Sequence, residues 1–101
     1  MNFESVIDGV CKAAILPNLR AEFIEQLHGL YSMHGIVPKA VKGDSEGAIV
    51  LFKEIEKGKH LMIKVKDTIE HGILGYDGGN ATWGLLKPRD FHNLLLSKSN
   101  V

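Results

Sequence analysis

The chain has 101 residues, 45% of them hydrophobic, and its twelve basic and twelve acidic side chains balance to a formal charge of zero. That length holds one domain, residues 1–101, with a core of its own, and the balanced charge disfavours a nucleic-acid binder or an acidic solvating tail. Cys11 is the only cysteine, so no internal disulfide can form, and a lone thiol inside an apolar pattern reads as a small core residue.

Phe3, Val6, Ile7, Val10 and Ala14 recur at three- and four-residue steps, which predicts a helix running to about Leu16 with that stripe turned inward. Glu4 and Asp8 interrupt the segment, so it lacks the cationic start and continuous apolar run of a secretory leader, and no stretch approaches a membrane span. A cytoplasmic location is therefore expected. Pro17 ends the first helix, and Asn18 is positioned to cap a second in which Leu19, Phe23, Ile24, Leu27, Leu30 and Tyr31 form the apolar stripe. Gly35 follows as the left-handed residue that closes it. Val37 to Gly47 collects Pro38, Gly43, Asp44, Ser45 and Gly47, a run of chain breakers that reads as a connecting loop.

Two β-rich runs come next, Ala48 to Glu56 and Lys59 to Lys66, joined by Lys57-Gly58 as a hairpin turn. With those two residues at the centre of the turn, Glu56 faces Lys59, Phe52 faces Ile63 and Val50 faces Val65, which gathers the apolar partners on one side. Asp67-Thr68 serves as a second turn. Ile69 to Tyr76 and Ala81 to Leu86 then form a further pair around Asp77-Gly78-Gly79-Asn80, whose glycines accept the positive φ of a tight hairpin. Carried through both turns, the register puts Leu61, Ile63 and Val65 on the same face as Leu74, Tyr76, Trp83 and Leu85. Pro88 opens a last helix with Phe91, Leu94 and Leu95 inward, and the tail from Ser97 reads as frayed. The predicted fold is α+β: two N-terminal helices, a four-stranded antiparallel meander sheet and a C-terminal helix. Its expected core includes Phe23, Leu27, Phe52, Ile63, Leu74 and Trp83.

No spacing announces chemistry. In the predicted register His60 faces Gly75 and His71 faces Lys64, leaving the two roughly 13 Å apart at about 3.3 Å per residue. His28 and His34 stand six apart, off the i, i+4 spacing of paired ligands. No serine sits in a nucleophile-elbow context, and Glu54, Glu56 and Glu70 read as solvated charges. Asp77 to Asn80 is glycine-rich but precedes a strand, so a turn explains it better than an anion cradle. No cofactor and no metal are therefore expected, and a non-catalytic role is favoured. Lys53, Lys57, Lys59, Lys64 and Lys66 make the first hairpin basic, yet without a neighbouring aromatic platform, so nucleic-acid binding ranks last.

The sheet face turned away from the helices is the more informative surface. By alternation it should carry Ile49, Leu51, Lys53, Ile55, His60, Met62, Lys64, His71, Ile73, Gly75, Thr82 and Gly84, of which Ile49, Leu51, Ile55, Met62 and Ile73 make a patch too apolar to be merely solvated. The expectation is a protein-interaction module, acting on another protein or as a homodimer in the manner of small inhibitors, immunity proteins or antitoxins. Its site is centred on Met62 and Ile73 and rimmed by Lys53, Lys64 and His71. The alternative is a small-molecule-binding protein or enzyme with a pocket beside Trp83 and Tyr76.

Overall fold

A computed structural model describes residues 1–97; the expected fraying beyond Ser97 lies outside the described residues. The order is α1 (Phe3–Lys12), α2 (Pro17–His34), β1 (Ala40–Asp44), β2 (Gly47–Glu56), β3 (Lys59–Val65), β4 (Ile69–Asp77), β5 (Asn80–Leu86) and α3 (Pro88–Leu96). The α+β class is as expected. The strands form one antiparallel sheet in sequence order, β1-β2-β3-β4-β5.

The fifth strand, β1, occupies the segment read as a loop. Ser45 and Glu46 turn the chain between the paired Asp44 and Gly47, and Asp44 Oδ1 accepts from the Glu46 amide at 2.8 Å. The strand was hard to see because Val41 is the only large apolar side chain in Ala40–Asp44, so alternation has a single point to register on. At β1 the sheet meets α1 backbone to backbone, since a Cβ on Gly43 would overlap the Gly9 carbonyl.

The helix ends differ in detail. Asn2 caps α1 by accepting from the Ser5 amide, and α1 stops at Lys12 rather than near Leu16. Ala13 to Leu16 crosses the end of the sheet instead, with the Ala14 amide donating to the Asp44 carbonyl at 2.8 Å. Pro17 is the first residue of α2, a position where its missing amide costs nothing. Asn18 therefore lies inside the helix and caps nothing. Gly35 closes α2 at φ 67° as expected. Cys11 is exposed on α1 and takes no part in the core.

All three helices deliver their apolar side chains to one face. Val6 and Val10 of α1, Phe23, Leu27 and Leu30 of α2, and Phe91 and Leu95 of α3 cluster with Ala48, Val50, Phe52, Leu61, Ile63 and Val65 of the sheet. Helix α1 lies against β1, α2 against β3, and α3 against β2 and β4.

The register departs from expectation twice, with different consequences. In the first hairpin Glu56 faces Lys59 as expected, but two irregularities follow, at Leu51/Glu54 and Glu54/Glu56. Beyond them Val50, not Phe52, faces Ile63, and Ala48 faces Val65. Each irregularity shifts the pairing by one residue, so the two together shift it by two and return the side chains from Gly47 to Leu51 to their expected faces. Between them Ile55 turns to the core cluster, and Glu54 comes beside His60, Oε2 to Nε2 3.4 Å.

The second departure does not cancel. Lys66, Asp67 and Thr68 all lie in the β3–β4 loop, so Val65 pairs with Ile69 and His71 pairs with Ile63. That is one residue from the predicted register, and it reverses β4. The tight turn at Gly78 (φ 56°) and Gly79 (φ 86°) is as expected, so Leu74 still pairs with Trp83 and β5 turns over with β4. Ile69, His71 and Ile73 thereby face the helices, while Leu74, Tyr76, Trp83 and Leu85 face away. Leu74 and Trp83, expected in the core, are half-buried on the opposite face.

Candidate functional site

The face without helices is built from alternate residues of all five strands. Lys42, Ile49 and Lys64 form one row across β1, β2 and β3, and Ala40, Leu51, Met62, Gly72 and Leu85 form the next across the whole sheet. Leu74 and Trp83 follow, then Tyr76 and Ala81. Gly72 organises this face. A Cβ there would lie 2.8 Å from the Trp83 six-membered ring, so the indole lies flat over the glycine, and Lys64 Nζ closes over the ring at 4.5 Å from its centroid. A cation above an indole face is held by the ring's quadrupole. The Trp83 Nε1–H is shielded without an acceptor, a cost that the packing over Gly72 must offset. Around this fixed platform stand Ile49, 40% exposed, Tyr76, 60%, and Leu85, 65%.

The expected site residues divide. Met62 and Lys64 are on this face, but Met62 is only 5% exposed, shut in beside Gly72 and Leu51. Lys53 leaves the rim, because the irregular stretch of β2 lets its Nζ donate to the Ser97 carbonyl at 2.7 Å, at the end of α3. His71 and Ile73 are on the helix side: Ile73 packs against the core cluster and His71 is 6% exposed. The centre of the exposed apolar surface therefore moves from Met62 and Ile73 to Trp83, Tyr76 and Leu85, and these are the residues that alternation misassigned.

The basic hairpin is largely engaged. Lys59 contacts Glu56 at 3.6 Å and Lys66 contacts Glu46 at 3.7 Å, while Lys53 and Lys64 are held as above.

On the helix side, His71 sits at the junction of β4, α2 and α3. The Gln26 side-chain nitrogen lies 2.9 Å from His71 Nε2 and 3.5 Å from His92 Nε2, and with that amide donating, both rings accept at Nε2. The His71 ring also meets Phe91 edge-on at 5.1 Å. A cavity of about 520 Å³ opens here, lined by Glu22, Gln26, Asp67, Ile69, His71 and His92 among others. It lies among the helices, away from Trp83 and Tyr76 where a pocket was expected. Among the described residues no group of three or more His, Cys, Asp or Glu side chains is placed to hold a metal ion, and no helix is long and apolar enough to cross a membrane.

Burial lowers the pKa of His71 from its ordinary 6.5, and neighbouring His92 lowers it further. A histidine that resists protonation in the folded state binds fewer protons there than in the unfolded chain, so stability rises with pH through this range. Its contribution is complete above 6.5 and drains away as the pH falls from there through the folded-state value. Urea unfolding should show a less stable protein at pH 5.5 than at 7.5, and His71→Gln, which keeps an acceptor for Gln26, should reduce that difference. An undiminished difference in the variant would assign the sensitivity to other groups.

Compared with protein-family models, with curated proteins and with solved structures, the chain matches none.

Proposed function

We propose that the chain is a non-catalytic interaction module that binds another protein through the open face of its sheet, in the way of a small inhibitor or immunity protein. The observation that carries this is the segregation of the helices: all three pack on one face, leaving Ile49, Tyr76 and Leu85 exposed around the Trp83 platform on the other. Trp and Tyr supply large contact areas at small conformational cost, and interfaces draw their affinity from such residues inside a polar rim. Lys42, Lys64 and Glu70 supply that rim here. A flat pleated surface suits a protein partner better than a small molecule, which needs concavity. The exposed unpaired thiol of Cys11 suits a reducing compartment, so the proposed setting is the cytoplasm.

A second reading, a small polar ligand, is favoured by the 520 Å³ cavity at His71 and His92. One pair of variants separates the two. With a partner co-purified from the native host and its affinity measured by titration calorimetry, Tyr76→Asp should weaken binding at least about a hundredfold, as truncation of a central aromatic anchor does, while His92→Ala leaves it unchanged. Both chains should keep the wild-type circular dichroism. The reverse pattern would transfer the function to the cavity.

A further inference from the structure

The two edges of the sheet are finished differently. Edge β1 is five residues long, carries Lys42 and Asp44, and is backed closely by α1 through Gly9 and Gly43. Edge β5 has seven residues, Asn80 to Leu86, with no charged side chain and no proline, and among the described residues no strand pairs with its outer side. Charge, brevity and cover are the usual devices that keep an edge from pairing. Within its span β5 has none of them.

Which backbone groups are free follows from the hairpin. The Tyr76 amide donates to the Gly58 carbonyl at 3.0 Å, so the polar groups of Tyr76 face β3. Its partner across the ladder, Ala81, must then direct its own N–H and C=O away from β4, and alternation does the same for Trp83 and Leu85. Three residues thus present six groups in a row that pair with nothing among the described residues.

We propose that β5 pairs antiparallel with β5 of a second copy of this chain, about a two-fold axis at Trp83, to give a continuous ten-stranded sheet. That centring is the register that uses all six groups: Trp83 exchanges both bonds with Trp83, and Ala81 with Leu85. Among the described residues two features leave the axis open. The Trp83 ring is folded inward over Gly72, away from the axis, and a Cβ on Gly84 would meet nothing within 4 Å. Thr82 faces Gly84 of the second copy, and Lys87, the first charge beyond the strand, falls opposite Gly79. An uncharged strand brings no like charges together across the axis, which is why a second copy suits this edge. The pairing uses the edge and leaves the open faces free, so it stands independently of the partner proposed above.

The test is sedimentation equilibrium over a concentration series together with amide hydrogen exchange. The wild-type chain should be a dimer in which the Ala81, Trp83 and Leu85 amides are protected, with protection lost on dilution to monomer. Ala81→Pro removes one outward donor from each copy at a position where a proline spares the intramolecular ladder, and it should weaken the dimer about a hundredfold. Tyr76→Asp, which alters the open face alone, should dimerise normally. A monomer at every concentration, or a dimer in which those three amides exchange freely, would overturn the assignment. So would a dimer abolished by Tyr76→Asp and untouched by Ala81→Pro, which would place the contact on the face. The exchange measurement on the wild-type chain decides the matter even if the proline variant fails to fold.

Discussion

Phe52→Ala should cost about 3–5 kcal/mol, a large share of the roughly 5–15 kcal/mol that holds a small domain together, whereas Trp83→Ala should cost no more than about 2 kcal/mol. Phe52 is buried at the centre of the helix-covered face, edge-on to Phe91 with ring centroids 5.5 Å apart. Removing it takes away an aromatic pair and leaves a void between β2 and α3, walled by close-packed neighbours that relax into it only in part. Trp83 is the larger side chain but lies half-buried on the other face over Gly72, where its loss uncovers a sheet surface that water can reach. Urea titrations of both variants against the wild-type chain measure the difference. Equal costs would mean that β5 is turned the other way.

Gly43→Val should be as damaging, at about 3 kcal/mol or more, through overlap rather than through a cavity. The atoms a side chain would meet first are the oxygen and then the carbon of the Gly9 carbonyl, part of the α1 backbone, and after them the Ala13 methyl. Neither can step aside as a flexible side chain would. Helix α1 would have to move as a body, withdrawing Val6 and Val10 from the core in which both are fully buried. Gly29→Ala is the control. It lies in α2 with nothing within 4 Å of its added Cβ, and replacing a helical glycine should raise stability by about 1 kcal/mol. The two substitutions, measured by the same thermal or urea titration, should move stability in opposite directions. A neutral Gly43→Val would show that α1 is not seated against β1.

Elements whose cause is local were legible in the sequence. Pro88 opens α3, Gly35 closes α2, and Gly78-Gly79 makes a hairpin turn, because each requirement is met within a few residues. The buried stripe of Phe23, Leu27, Phe52 and Ile63 was legible for the same reason, since periodicity assigns a face without naming a partner. What failed was the length of one loop. Asp67-Thr68 satisfies the requirements of a two-residue turn, and nothing nearby in sequence says that Lys66 joins it. The decision comes from afar: Gln26 on α2 and Phe91 on α3 receive His71 only if β4 faces them, and Gly72 accepts the Trp83 ring only on the other side. A one-residue difference in a loop was enough to exchange Ile73 and His71 for Trp83, Tyr76 and Leu85 as the candidate surface. Strand β1 was missed for a related reason, its place being specified by α1 above it rather than by its own composition.

The doubled irregularity in β2 has a consequence for how this chain tolerates change in length. Between Leu51 and Glu56 the strand carries two residues more than β3 needs opposite it, so the segment acts as a store of slack, one residue in each bulge. Excising one residue from it would leave a single bulge, with Leu51 still opposite Met62 and Glu56 still opposite Lys59, so neither flank would turn over. Excising two would straighten the strand and leave inside and outside as they are. Along this stretch the chain can lose one residue or two and keep its faces, a tolerance of deletion that neither burial nor side-chain identity at any one position reveals.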